Sequence, residues 1–132
     1  MKLCGSIFLI TLVFSAAVCS AAPHRYKEKV YQAAWCAAHG GQAEVVLPDR
    51  TRVDCVTEGH AVEVDFAPKW AESIGQALYY SMRTGRKPGI LLIMESEQDA
   101  RFLERLLAVA DSLGIEVWTI TPGDVGGGGE RE

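Results

Sequence analysis

Gly89 to Met94 reads Gly-Ile-Leu-Leu-Ile-Met, a run without a polar side chain, set off by Pro88 before it and Glu95 after it. A strand with one wet face alternates polar and apolar residues, so an unbroken apolar run of strand length belongs to a strand covered on both faces. That segment calls for a sheet with helices packed on both of its sides.

The flanking sequence supplies the other elements. Arg25 to His39 has helical periodicity, with Val30, Ala34 and Ala37/Ala38 on one stripe, Tyr31 and Trp35 beside it, and Gly40-Gly41 as the stop. Three short strands follow at 43–47, 51–57 and 61–66, joined by Pro48-Asp49-Arg50 and Glu58-Gly59-His60. Pro68 opens a helix to about Thr84, closed by Gly85 and Pro88. After the apolar run, Ser96 with Asp99 predicts an N-cap for a helix whose stripe is Phe102, Leu103, Leu106, Leu107, Ala110 and Leu113. Gly114 ends that helix, 115–120 is a last strand, and 121–132 with its four glycines reads as a flexible tail. The expected fold class is α/β in the order αβββαβαβ, a mixed central sheet flanked by helices.

The first residues are of another kind. Met1-Lys2, the nearly continuous apolar stretch Ile7 to Val18 and the small residues Cys19 to Ala22 read as a signal peptide over 1–22, cut near 20–22. The protein is then exported, periplasmic or secreted, and has no stable membrane insertion after cleavage. The competing reading is an uncleaved N-terminal membrane anchor followed by Arg25, Lys27 and Lys29.

With Lys2 gone, the net charge moves from −4 to −5, the wrong sign for a general nucleic-acid-binding surface. Cleavage also removes Cys4 and Cys19. Cys36 and Cys55 remain, either as a disulfide or as two buried thiols. A charged fraction of 23% and a hydrophobic fraction of 48% exclude a disordered chain and a multi-span membrane protein.

Polar residues collect in one stretch. In the third strand Glu63 and Asp65 share a face, and a hairpin at Glu58 to His60 brings Asp54 beside Glu63. Three converging carboxylates repel one another unless protons or a cation compensate, and such oxygen-rich clusters suit Mg2+. On the next helix Lys69, Ser73, Gln76, Tyr80 and Arg83 form a polar stripe, opposite Trp70, Ile74, Ala77, Leu78 and Ser81.

Asp54, then Glu63-Val64-Asp65, then Gln76 and Tyr80 on the following helix resemble the PD-(D/E)XK, or restriction-endonuclease-like, nuclease superfamily in its RecB-like Gln-x-x-x-Tyr variant. The resemblance covers Arg25 to Ile120. It implies a restriction-endonuclease-like domain over 23–120, metal held by Asp54 and Glu63, a catalytic set of Asp54, Glu63, Asp65 and Lys69, and strand contacts from Gln76 and Tyr80, to which a nuclease reading adds Arg83. Asp65 stands where the family has its motif Lys, and Lys69 is either a migrated replacement or an ordinary surface lysine.

Two main functions follow. One is Mg2+-dependent hydrolysis of phosphodiester bonds, with nucleic acid as partner. The other is a catalytically inactive exported domain that keeps the fold for binding or structure, the acids neutralised by Lys69 or Arg52. A small adaptor active only with a protein partner is a third. The sequence specifies neither DNA nor RNA and no oligomeric state.

Overall fold

The computed structural model describes residues 22–126. Apart from Ala22, the expected leader lies outside the described residues, as does the tail beyond Gly126. The elements are α1 (Glu28–Ala38), β1 (Gln42–Val46), β2 (Arg52–Val56), β3 (His60–Phe66), α2 (Trp70–Thr84), β4 (Lys87–Ile93), α3 (Ala100–Ala110), β5 (Glu116–Ile120) and α4 (Pro122–Val125). The expected class holds: a mixed α/β domain on one five-stranded mixed sheet, in the order β1-β2-β3-β4-β5. β1, β2 and β3 form an antiparallel meander, and β3, β4 and β5 run parallel through the crossover helices α2 and α3.

β4 does what its sequence demands. Leu91 and Ile93 face a core built with Tyr31, Trp35, Cys36, Val62, Val64 and Ile120. Ile90 and Leu92 face the opposite core, with Ala77, Leu106, Ala110 and Ile115. Each of these fully buried Leu or Ile side chains contributes about 2 kcal/mol, so β4 anchors both layers. The strand begins earlier than the apolar run suggests, at Lys87, and Pro88 is accommodated near its start opposite Ala61. Gly85 and Gly114 end α2 and the turn after α3 with left-handed φ of 69° and 67°.

Several expectations shift. The buried face of α1 is Tyr31, Gln32, Trp35 and Cys36, whereas Val30 and Ala37 point outward. The aromatic rings bury far more area than the Val and Ala positions that set the apparent stripe. On α3 the capping box of Ser96 and Asp99 is present, but Leu107 and Leu113 are exposed at the margin of the stripe. The stretch after Ile120 continues as structure: Thr121 and Asp124 form a capping box, α4 packs on α1, and Val125 joins the core. Export and membrane anchoring concern residues that are not described; among the described ones, no helix is long and apolar enough to cross a membrane.

Of the two readings of the cysteines, the structure forms the bridge. Cys36 on α1 and Cys55 on β2 are disulfide-bonded across a Cα separation of 5.8 Å, and both are buried. Closing a loop with a sequence separation of 19 removes chain entropy from the unfolded state worth about 3 kcal/mol.

Candidate active site

The site forms where β2 parts from β3. Their ladder contains Cys55 opposite Val62 and Val56 opposite Ala61. Continuing that register one step places Asp54 opposite Glu63, but there Asp54 Oδ2 accepts the Val64 amide at 2.8 Å instead. Alternation along β3 sends Val62 and Val64 into the α1-side core and turns Glu63 and Asp65 the other way. They open into a cleft of about 610 Å3 whose wall also includes Asp54, Lys69, Gln76 and Tyr80.

Burial makes this cleft electrostatically costly. Glu63 is 5% exposed and Asp65 4%. Desolvation, and next the Asp54 charge, push the Glu63 carboxyl up to about 9. Desolvation raises Asp54 as well, against the pull of the Val64 amide. The two carboxyls face each other within hydrogen-bonding reach, and Glu63 Oε2 meets no donor among the described residues. Two acceptors so placed require a shared proton or a cation between them. Asp65 is raised to about 6 by burial, with the Lys69 ammonium pulling the other way from 3.9 Å.

Asp65 therefore looks to Lys69 and to the Phe66 amide, which it accepts at 3.0 Å, rather than completing a three-acid cluster. Among the described residues, no three His, Cys, Asp or Glu side chains are arranged to hold one ion between them. The expected three-way convergence narrows to the pair Asp54 and Glu63. Lys69 lines the same cleft.

The α2 stripe divides. Gln76 lines the cleft from an exposed position, and Tyr80 lies 7% exposed against Leu47, Val53 and Ala61. Burial, then the Glu63 and Asp54 charges, push the Tyr80 hydroxyl up to about 12. Ser73 is fully buried and donates to the Lys69 carbonyl at 3.1 Å. Arg83 is not in the cleft wall; its Nε sits 4.0 Å from Asp49 on the β1–β2 turn. Arg83 thus lies beside that turn, outside the cleft wall where the other stripe residues Lys69, Gln76 and Tyr80 stand.

Several residues at the cleft or hydrogen-bonded to its members were not singled out in the sequence. Glu28, in the first turn of α1, lines the cleft and is raised by burial and then by Asp54. One turn on, Gln32 Nε2 donates to the Asp54 carbonyl at 2.8 Å and to Glu44 Oε1 at 3.2 Å. Glu44 holds a left-handed φ of 57° in the middle of β1, in the gap between the Ala43–Cys55 and Val45–Val53 pairs. Its carboxylate also receives Arg52 Nε at 2.8 Å. Gln32 therefore supplies the donor that satisfies the Asp54 carbonyl. A signal existed: Glu28, Gln32 and Cys36 recur every four residues on one helix face.

Compared with protein-family models, curated proteins and solved structures, the chain matches none.

Proposed function

We propose that this cleft hydrolyses phosphodiester bonds of nucleic acid with the help of a divalent cation, Mg2+ or a similar hard ion, on a restriction-endonuclease-like core in an exported protein. The observation that carries the reading is that six residues grouped from sequence alone, Asp54, Glu63, Asp65, Lys69, Gln76 and Tyr80, line a single cleft. The element order supports the same reading. It runs α1, three antiparallel strands, α2, and then parallel β4 and β5 joined by α3.

The donor set fits the ion. Mg2+ is commonly held by one or two carboxylates, its remaining positions going to water and substrate phosphate. Asp54 and Glu63 would supply those carboxylates, and the unpartnered, buried Glu63 Oε2 is an oxygen that a cation would satisfy. When bound, the ion supplies Lewis acidity and a more acidic water.

The chain's own residues do the rest. Asp65, whose carboxyl is pushed up to about 6 by burial, would accept a proton close to neutral pH. Lys69 Nζ brings positive charge to the point where the phosphoryl oxygens would gain negative charge. Gln76 offers its amide as a donor to a strand lying along α2, and Tyr80 closes the floor of the cleft. An inactive binding domain is the second reading. It is favoured by the Asp54–Glu63 pair, which a shared proton satisfies with no cation at all.

The test is cleavage of single- and double-stranded DNA and of RNA by the chain from residue 23 onward, with Mg2+ or Mn2+. Glu63→Gln and Asp54→Asn are expected to lower kcat at least about 100-fold, the scale of losing an essential catalytic group. No cleavage of either polymer with any divalent ion, together with no ion binding by calorimetry, overturns the proposal.

A further inference from the structure

The β1–β2 turn holds a residue that its backbone does not favour. Arg50 has φ 71°, the left-handed region where Gly or Asn is the default and where a side chain with a Cβ costs about 1 kcal/mol. The turn around it is closed by Leu47 N to Thr51 O at 2.8 Å and Arg50 N to Leu47 O at 2.9 Å. It is also tied down from outside. Asp49 accepts Thr51 N at 3.1 Å and Thr51 Oγ1 at 2.6 Å, accepts the Tyr79 hydroxyl of α2, and faces Arg83. Those donors hold the Asp49 carboxyl down at about 2, so it remains an anion and a fixed anchor.

The turn backbone is fixed, yet the Arg50 side chain is unused. It is exposed, lines the cleft, and among the described residues makes no ion pair or hydrogen bond. The other cations of the cleft wall are engaged, Arg52 with Glu44 and Lys69 with Asp65. The acids of the wall, Glu28, Asp54, Glu63, Asp65 and Glu72, would repel a phosphodiester chain unless a cation at the wall drew it in. A guanidinium offers forked donors that match two phosphate oxygens at once.

We propose that Arg50 is a phosphate-binding residue, held over the cleft by the Asp49 anchor to engage a phosphodiester group of the bound nucleic-acid strand. This assignment rests on the nuclease reading and names the contact that overcomes the acidity of the site. It also places on Arg50 the substrate contact that the sequence suggested for Arg83.

The test separates binding from cleavage. Anisotropy of a labelled single-stranded oligonucleotide is followed in Ca2+ at a series of KCl concentrations, with wild type, Arg50→Gly, Arg50→Lys and Arg105→Ala. Arg50→Gly is expected to weaken binding roughly tenfold and to lower the slope of log K against log salt by about one. Its melting temperature should be unchanged or higher, since Gly relieves the left-handed backbone. Arg50→Lys should recover part of the affinity and all of the salt slope. Arg105→Ala, which removes the same charge from α3 outside the cleft wall, should leave both unchanged. Wild-type affinity and slope in Arg50→Gly, or a drop in its melting temperature, overturns the Arg50 assignment and leaves the nuclease reading standing. A wild-type chain that binds no oligonucleotide at low salt overturns both.

Discussion

Glu63→Gln tests the electrostatics of the cleft without any substrate. In the folded chain the Glu63 carboxyl is pushed from its ordinary 4.5 up to about 9, because it is buried and faces Asp54. Between those values the folded chain holds a proton that the unfolded chain has released, so unfolding releases a proton and stability falls as pH rises. The contribution is fully present below pH 4.5 and is spent by about pH 9. Each tenfold change in proton affinity is worth about 1.4 kcal/mol, so the whole window would amount to about 6 kcal/mol. Asp54 shares the proton and the strands can relax, so about half of that, about 3 kcal/mol, is a realistic penalty on the wild type at pH 9.

Gln has the shape of Glu and never ionises, so the variant escapes the penalty. Thermal and urea unfolding by circular dichroism, in EDTA from pH 5 to 9, should show the two proteins close together at pH 5. They should diverge steadily above it, with Glu63→Gln more stable by about 3 kcal/mol at pH 9, on the order of 10 °C in Tm. A divalent ion should restore the wild type at pH 8 and do much less for the variant, because binding to the folded form alone stabilises it. Parallel pH profiles for the two proteins would refute the idea that Glu63 is held protonated against Asp54. A variant less stable than wild type at pH 9 would show that the carboxylate already has a partner.

The remaining predictions concern the bridge. Replacing Cys36 and Cys55 by Ala should cost about 3 kcal/mol, read from the urea midpoint under non-reducing conditions, and wild type with reductant should fall to the same value. A Cβ on Gly41 would lie 2.5 Å from Cys55 Sγ and 2.8 Å from Cys36 Sγ, so Gly41→Ala should destabilise by about 2 kcal/mol. In the Cys36→Ala, Cys55→Ala background most of that penalty should vanish, and additive costs would show that the sulfurs are not what excludes a side chain at Gly41.

The fold was readable wherever one pattern dominated. The apolar run of β4, the glycine stops after α1, α2 and α3, and the Ser96–Asp99 cap each have a local cause, and each stands where the sequence put it. The face of α1 was misread because Val30 and Ala37 keep helical spacing as well as Tyr31 and Trp35 do, and only packing decides which set is covered. The end of the domain was misplaced because Gly123 and Pro122 look like breakers, whereas Pro is favoured in a helix's first turn and Thr121 caps it. In the cleft, Asp54, Glu63 and Asp65 announced themselves through strand alternation. Arg50 of the cleft wall did not, nor did Glu44 outside that wall, because a left-handed backbone in a non-glycine residue leaves no mark on the sequence.

Asp54 and Cys55 are neighbours, and that adjacency bears on how a domain this small tolerates its cleft. Ladder pairing between β2 and β3 stops at Cys55, next to the buried carboxyls of Asp54 and Glu63. The acid pair, through Asp54, and the covalent tie, through Cys55, therefore sit on adjacent residues of β2. The tie reaches α1 at Cys36, one turn beyond Gln32, whose amide holds the Asp54 carbonyl, and two turns beyond Glu28 at the cleft wall. Cutting the bridge should therefore loosen the helix face that holds the Asp54 carbonyl, which makes the oxidised chain the form expected to assemble the cleft. That agrees with a protein proposed to work after export, where disulfides persist.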